Sequence, residues 1–210
     1  MLDIAGKKIR DTLEEIVDPG RAALLLWDME YAIAPNAFNF EEIVANLKPL
    51  TDLARKIGVP VFYSQQIHFD LEKAEAEVWA RVRTKRAGGT QDSKIPEGKR
   101  GHDIVEELAP QRGDVVFQKR RPDGFVGTDL DLMLRNRGIR TVMMGGVATE
   151  GGVEGTARTG RNLGYYMVIL KDCVGSRNRE LHDMALKLME KTHFDVAAAD
   201  EVAQIWKRKS

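Results

Sequence analysis

Residues 22–27 form an unbroken apolar run, Ala-Ala-Leu-Leu-Leu-Trp, that stops on Asp28. A strand with one wet face alternates apolar and polar residues. A strand with no polar position is covered on both faces, as in a parallel sheet lying between two layers of helices. Further strands are predicted at 59–64, 114–118, 141–144, 166–170 and 195–197. Apolar residues return at helical spacing between them. Helices are expected over 41–57, bent by Pro49 and closed by Gly58, and over 71–83, 129–136, 153–163, 179–191 and 201–207. Ile9, Leu13, Ile16 and Val17 predict a short leading helix over 7–17, stopped by Asp18-Pro19-Gly20. This alternation predicts a three-layer α/β/α architecture around a mostly parallel six-stranded sheet of Rossmann-like topology. It spans 1–210 as one domain, with 1–20 as a helical extension.

In such sheets ligands bind beyond the carboxyl ends of the strands. Asp28, Gln66, Lys119 and a glycine-rich turn containing Gly145, Gly146, Gly151 and Gly152 all fall at predicted carboxyl ends. The turn joins a strand to a helix start, where unpaired backbone N–H groups suit an anion or a developing oxyanion. The polar segment 85–101 is long enough to cover a site at that edge.

Several classes of function find no support. Thirty-two basic residues balance thirty-two acidic ones, so no overall field favours nucleic acid or an anionic membrane. The amino terminus lacks a secretory apolar core and no run approaches membrane-spanning length, so the expected location is cytoplasmic. A dinucleotide fingerprint would place G-x-G-x-x-G after the first strand, where Trp27-Asp28-Met29-Glu30 stands, and no G-x-x-x-x-G-K-[ST] pattern occurs. No cofactor is therefore expected. Nor is a metal: His68 and Asp70 are close in sequence, but His102, His182 and His193 have no ligand-like spacing to them. The single cysteine, Cys173, excludes an intramolecular disulfide.

Asp28 is the most informative carboxylate. A carboxyl in a partly desolvated cleft has a raised pKa unless a cation offsets it, and so can shuttle a proton near neutral pH. Lys119 is the candidate cation.

Three segments together resemble the isochorismatase-like, or cysteine hydrolase, superfamily: ALLLWDME at 23–30, the stretch from Val115 to Ile139 with its lysine, and VMMGGVATEGGVEGTAR at 142–158. The resemblance covers roughly residues 20 to 200 and implies the α/β/α sheet and a hydrolase acting on a small metabolite. Enzymes of that family carry an Asp-Lys-Cys triad and include nicotinamidases, carbamoylsarcosine amidohydrolases and isochorismatase. Asp28 matches the aspartate and Lys119 the lysine, but Gly152 stands where the nucleophilic cysteine belongs. A thioester route is then closed. The resemblance instead implies the isochorismatase route, in which the aspartic acid protonates a vinyl carbon and water attacks the resulting oxocarbenium ion. Amide hydrolysis by activated water and loss of catalysis with retained binding are the alternatives. Glycine at 152 is expected to leave room beside Asp28 for water or a bulkier substrate. The resemblance also implies a cis bond at Val147–Ala148, a substrate contact from Gln66 and a homo-oligomer, dimer or tetramer. Phe125, Thr149 and Glu150, where the turn differs from the family's, are further candidates for the pocket wall, and the backbone N–H groups of Ala148 and Gly152 for a polar cradle. Glu30 replaces a glutamine common in the family, and Arg121-Pro122 replaces a tyrosine.

Overall fold

The computed structural model describes residues 1–87, 100–192 and 194–209. Most of the polar segment expected at 85–101 therefore lies outside the described residues, as does His193.

The chain begins with an antiparallel hairpin, β1 (Leu2–Ile4) and β2 (Lys7–Ile9), followed by a single helical turn, α1 (Leu13–Ile16). This corrects the leading helix expected over 7–17. Ala5 and Gly6 both have positive φ, +53° and +78°, which gives a two-residue turn whose twist matches paired strands. Thr12 and Glu15 then close a capping box, so the helix starts after Thr12 and Ile9 belongs to a strand.

The main sheet contains β3 (Ala22–Trp27), β4 (Val61–Gln66), β5 (Val115–Lys119), β6 (Thr141–Val147), β7 (Tyr166–Gly175) and β8 (Asp195–Ala197). Its order is β5-β4-β3-β6-β7-β8, with every pairing parallel. The three-layer expectation holds. Along β3, Ala22, Leu24 and Leu26 pack into the cluster that includes Leu47 and Leu50 of α2 (Phe40–Lys56), with α3 (Glu77–Ala87) following later in the chain. Ala23, Leu25 and Trp27 point the other way, toward Leu130 and Leu134 of α4 (Leu130–Asn136), Ala157 of α5 (Glu154–Asn162) and Met189 of α6 (Arg179–Lys191). The final helix, α7 (Ala199–Lys209), adds Val202 and Trp206 to the first cluster. Helix α2 runs through Pro49 without ending.

The strand order reverses between β3 and β6. The chain first builds outward through β4 and β5, then returns to the other side of β3. Such a reversal opens a crevice at the carboxyl ends of the two central strands. Asp28 follows β3, and the glycine-rich turn follows β6, so both face the crevice.

Strand β6 is longer than its apolar run because two glycines continue it. Gly146 has φ +120°, and a Cβ there would stand 2.7 Å from the Trp27 backbone nitrogen and would also strike the Trp27 carbonyl oxygen. Close approach of the two central strands therefore requires glycine at 146. We expect Gly146→Ala to destabilise the fold by about 3 kcal/mol or more, since it combines unfavourable φ with backbone overlap. Urea unfolding of the variant beside wild type measures this.

Candidate active site

At the end of β3 the chain turns sharply. Asp28 has φ +49°, in the left-handed region that aspartate tolerates better than most side chains. The turn aims its carboxylate across the ends of β4 and β5. Ser64, buried in β4, accepts from the Asp28 backbone N–H at 2.9 Å and donates its own hydroxyl to Asp28 Oδ1 at 2.7 Å. Lys119, the last residue of β5, donates to Asp28 Oδ2 at 2.9 Å and to Gln66 Oε1 at 2.6 Å. Gln66 and Lys119 are cross-strand partners in the β4–β5 register, so the sheet itself fixes this contact. The third Lys119 proton meets no acceptor among the described residues.

Lys119 is 1% exposed and Asp28 8%, so this ion pair is almost dry. Burial pushes the Asp28 carboxyl above its ordinary value, while the Lys119 charge and the hydrogen bonds from Lys119 and Ser64 pull it back down. Removing one partner of such a pair strands a buried charge.

Glu30, two residues further on, is also buried, and its carboxylate accepts the backbone N–H of Gln66. Burial first, and the nearby Asp28 charge second, raise its pKa from 4.5 to about 8. The segment around it is held down by an antiparallel bridge from Glu30 to Ile104 and by hydrogen bonds from the Tyr31 and Ala32 N–H groups to the Asp103 and Gly101 carbonyls.

The glycine-rich turn leaves β6 through a cis Val147–Ala148 bond, as the resemblance implies. Residues Thr149–Val153 then form a π-helical turn leading into α5, and the Ala148 carbonyl accepts from the N–H groups of Gly151 and Val153. The expectation that glycine at 152 opens a space is corrected. A Cβ on Gly152 would fall against Trp27 Nε1 and within 2.6 Å of Trp27 Cε2. The fully buried Trp27 indole occupies the place from which a side chain at 152 would project. Gly124 presses on the same ring, with a hypothetical Cβ 2.8 Å from Cζ3. Lys119 Nζ lies 4.5 Å from the Trp27 ring centroid, so the ammonium rests over the aromatic system that fills the space beside Gly152. Trp27 Nε1 has no hydrogen-bond partner among the described residues.

The remaining expected residues divide. Gln66 joins the Asp28–Lys119 network directly. Thr149 is fully buried and donates to the Gly175 carbonyl at 3.0 Å, leaving its oxygen to accept from His182 Nδ1 at 2.8 Å. Glu150 accepts from Ser176 Oγ at 2.7 Å. Both side chains are thus engaged by β7 and the start of α6 rather than by Asp28. Phe125 stacks on Tyr165 with centroids 5.8 Å apart and reaches Gly160, which places its ring in the second apolar cluster. Cys173 is fully buried within β7, and burial together with the Asp172 carboxylate raises its thiol pKa. It presents no accessible nucleophile.

Sequence reasoning missed Ser64, Glu30 as an ionisable member of the site, and Trp27. The signal for Trp27 was the coincidence of a large ring immediately before Asp28 with glycine at 124 and 152.

This geometry has relatives. Residues 22–201 match the isochorismatase domain family, and the chain belongs to that family. Its fold is shared with solved structures. One is an isochorismatase-like hydrolase from Alkaliphilus metalliredigens, 26% identical, with a TM-score of 0.69 over 89% of this chain and 99% of that one. N-carbamoylsarcosine amidase from Thermoplasma acidophilum is 25% identical, with a TM-score of 0.66 over 86% and 97% of the two chains. A cysteine hydrolase from Pseudomonas syringae pv. phaseolicola, 22% identical, superposes with a TM-score of 0.80 over 93% and 96%, a likeness of fold. The family and these neighbours are hydrolases.

Trp27 and residue 152 compete for one volume, which a double-mutant cycle can read. Gly152→Cys should destabilise by about 2 kcal/mol or more through overpacking, and Trp27→Leu by a similar amount through the cavity it leaves. The double variant should cost less than the sum by about 1 kcal/mol or more, because the new thiol enters the vacated space. Urea unfolding of the four proteins gives the coupling.

Proposed function

We propose that this chain is an isochorismatase-family hydrolase that works by proton chemistry at Asp28, without a covalent thiol intermediate, on a small metabolite. The observation that carries the reading is the buried contact between Asp28 and Lys119 at 2.9 Å, assembled from three strand ends around an indole that fills the nucleophile's place. Vinyl-ether hydrolysis fits this chemistry best. Asp28 in its acid form gives its proton to the terminal vinyl carbon, and the ether carbon becomes an oxocarbenium ion. Water adds to that carbon and returns a proton to Asp28. The hemiketal then collapses to a ketone and a free alcohol. No bond to the protein forms, so a glycine at 152 is no obstacle. Lys119 holds the Asp28 carboxylate once the proton has left, and its third N–H anchors a substrate oxygen. The backbone N–H groups of Ala148 and Gly152 are the proposed polar cradle.

A second reading, a small-molecule-binding protein that has lost catalysis, is favoured by one observation: Trp27 packs the turn that a substrate would otherwise enter. Amide hydrolysis by water activated at Asp28 or Glu150 is a third reading; Ser176 holds Glu150 Oε1, while Oε2 has no hydrogen-bond partner among the described residues. Cytoplasmic location and assembly into a dimer or tetramer remain part of the proposal. The exposed Leu181, Met184 and Leu188 along α6 offer one face for such contacts.

Asp28→Asn separates the readings. Asparagine also tolerates the left-handed backbone at this position, so the variant should fold. Wild type and Asp28→Asn are assayed on isochorismate, other enol ethers and a panel of small amides. Turnover of an enol ether by wild type that falls by about 100-fold or more in the variant supports the proposal. Equal turnover by both proteins, or turnover confined to amides, contradicts it. Saturable binding of a panel member with no turnover by wild type favours the binding reading.

A further inference from the structure

An aspartate tied to a lysine is ordinarily ionised at neutral pH, yet the proposed reaction needs an acid. The structure holds a second carboxyl beside it. Glu30 is 2% exposed, its carboxylate accepts the Gln66 N–H, and the same Gln66 accepts from Lys119 through its side chain. One residue of β4 thus links Glu30 to the Asp28–Lys119 pair. Among the described residues, the other groups packed around Glu30 do not neutralise it. Ile104, its bridge partner, is apolar, the Asp103 carboxylate is turned to Arg100, and the His102 carbonyl accepts from Gln65. Among the described residues, two buried carboxyls therefore face a single ammonium.

We propose that Asp28 and Glu30 hold one proton between them against the single charge of Lys119, so that Glu30 is the second ionisable group of the site and keeps Asp28 supplied with a proton at neutral pH. Charge balance in a dry site is the physical reason. With one proton on the two carboxyls the cluster is neutral, whereas two carboxylates would leave an uncompensated buried charge. The proton belongs to the pair and is lost as the pair's upper titration is passed. The raised pKa of Glu30, about 8, agrees with this. During turnover the proton leaves through Asp28 to the substrate carbon and returns to Asp28 from the attacking water, so the pair ends each cycle with the one proton it began with. Part of this inference rests on the proposed hydrolysis; the shared proton itself does not.

Carbon-13 NMR of the full chain labelled at glutamate side-chain carboxyls tests the shared proton without a substrate. One signal should titrate near pH 8, several units above the others, and be absent from Glu30→Gln. In Asp28→Asn its midpoint should fall, because a like charge has gone. Stability gives an independent reading. The folded Glu30 keeps its proton between about pH 4.5 and 8 while the unfolded chain loses it, so this group makes wild type progressively less stable as pH rises through that window. Glu30→Gln should therefore gain on wild type in urea midpoint from about pH 5 to about pH 8.5. Glutamate signals that all titrate below about pH 6, or a difference between the two proteins that stays flat with pH, would overturn the proposal. Where an enol ether is turned over, Glu30→Gln should keep activity at acid pH and lose it about 10-fold at neutral pH. An unchanged pH profile would reject the supply role even if the carboxyl titrates as described.

Discussion

The buried ion pair between Lys119 and Asp28 is the interaction on which the rest of this site depends. An ammonium and a carboxylate cannot be taken out of water cheaply, and their attraction offsets the loss only when the remaining donors and acceptors are also satisfied. Here the sheet does that. The Asp28 turn, Ser64 and Gln66 on β4, and Lys119 closing β5 give both Asp28 oxygens a donor and two of the three Lys119 protons an acceptor within 2.6–2.9 Å. The left-handed turn at Asp28 has the same origin, because it is the bend that swings the carboxylate back over β4. The order of the strands brings these residues together, with β3 next to β4 and β4 next to β5.

The second constraint is steric. Trp27 is the last residue of β3, and its indole fits only because residues 124 and 152 lack side chains. Glycine at 152 is thus half of a matched pair rather than a vacancy. The ring takes up the volume that a side chain at 152 would need and offers its face to Lys119, 4.5 Å from the ring centroid. A side chain at 152 would have to displace this ring, which is the steric ground for proposing chemistry without a covalent step at that position.

Much of this was legible in the sequence. The apolar run of β3 and the alternation of strands with helices specified the layered sheet, and Asp28, Gln66 and Lys119 could be placed together because each ended a predicted strand. Other parts required three dimensions. A single-residue pattern cannot show that Thr149 and Glu150 turn toward Gly175, His182 and Ser176, since both lie in a π-helical turn whose phase differs from that of an α-helix. Phe125 was a candidate for the pocket wall, yet it stacks on Tyr165, forty residues away in sequence. The hairpin at the amino terminus was hidden because Ile9, Leu13 and Ile16 also satisfy a helical period, and only the positive φ values at Ala5 and Gly6 decide between the two.

The most direct test of the account is a thermodynamic cycle on the pair itself, using Asp28→Asn, Lys119→Met and the double variant in urea unfolding at neutral pH. Each single change should cost about 3 kcal/mol or more, because it leaves a buried group without its partner, and the double variant should cost clearly less than their sum. Additive costs would mean that Lys119 and Asp28 do not support one another, and the site would then lack the interaction on which the proposed proton chemistry depends.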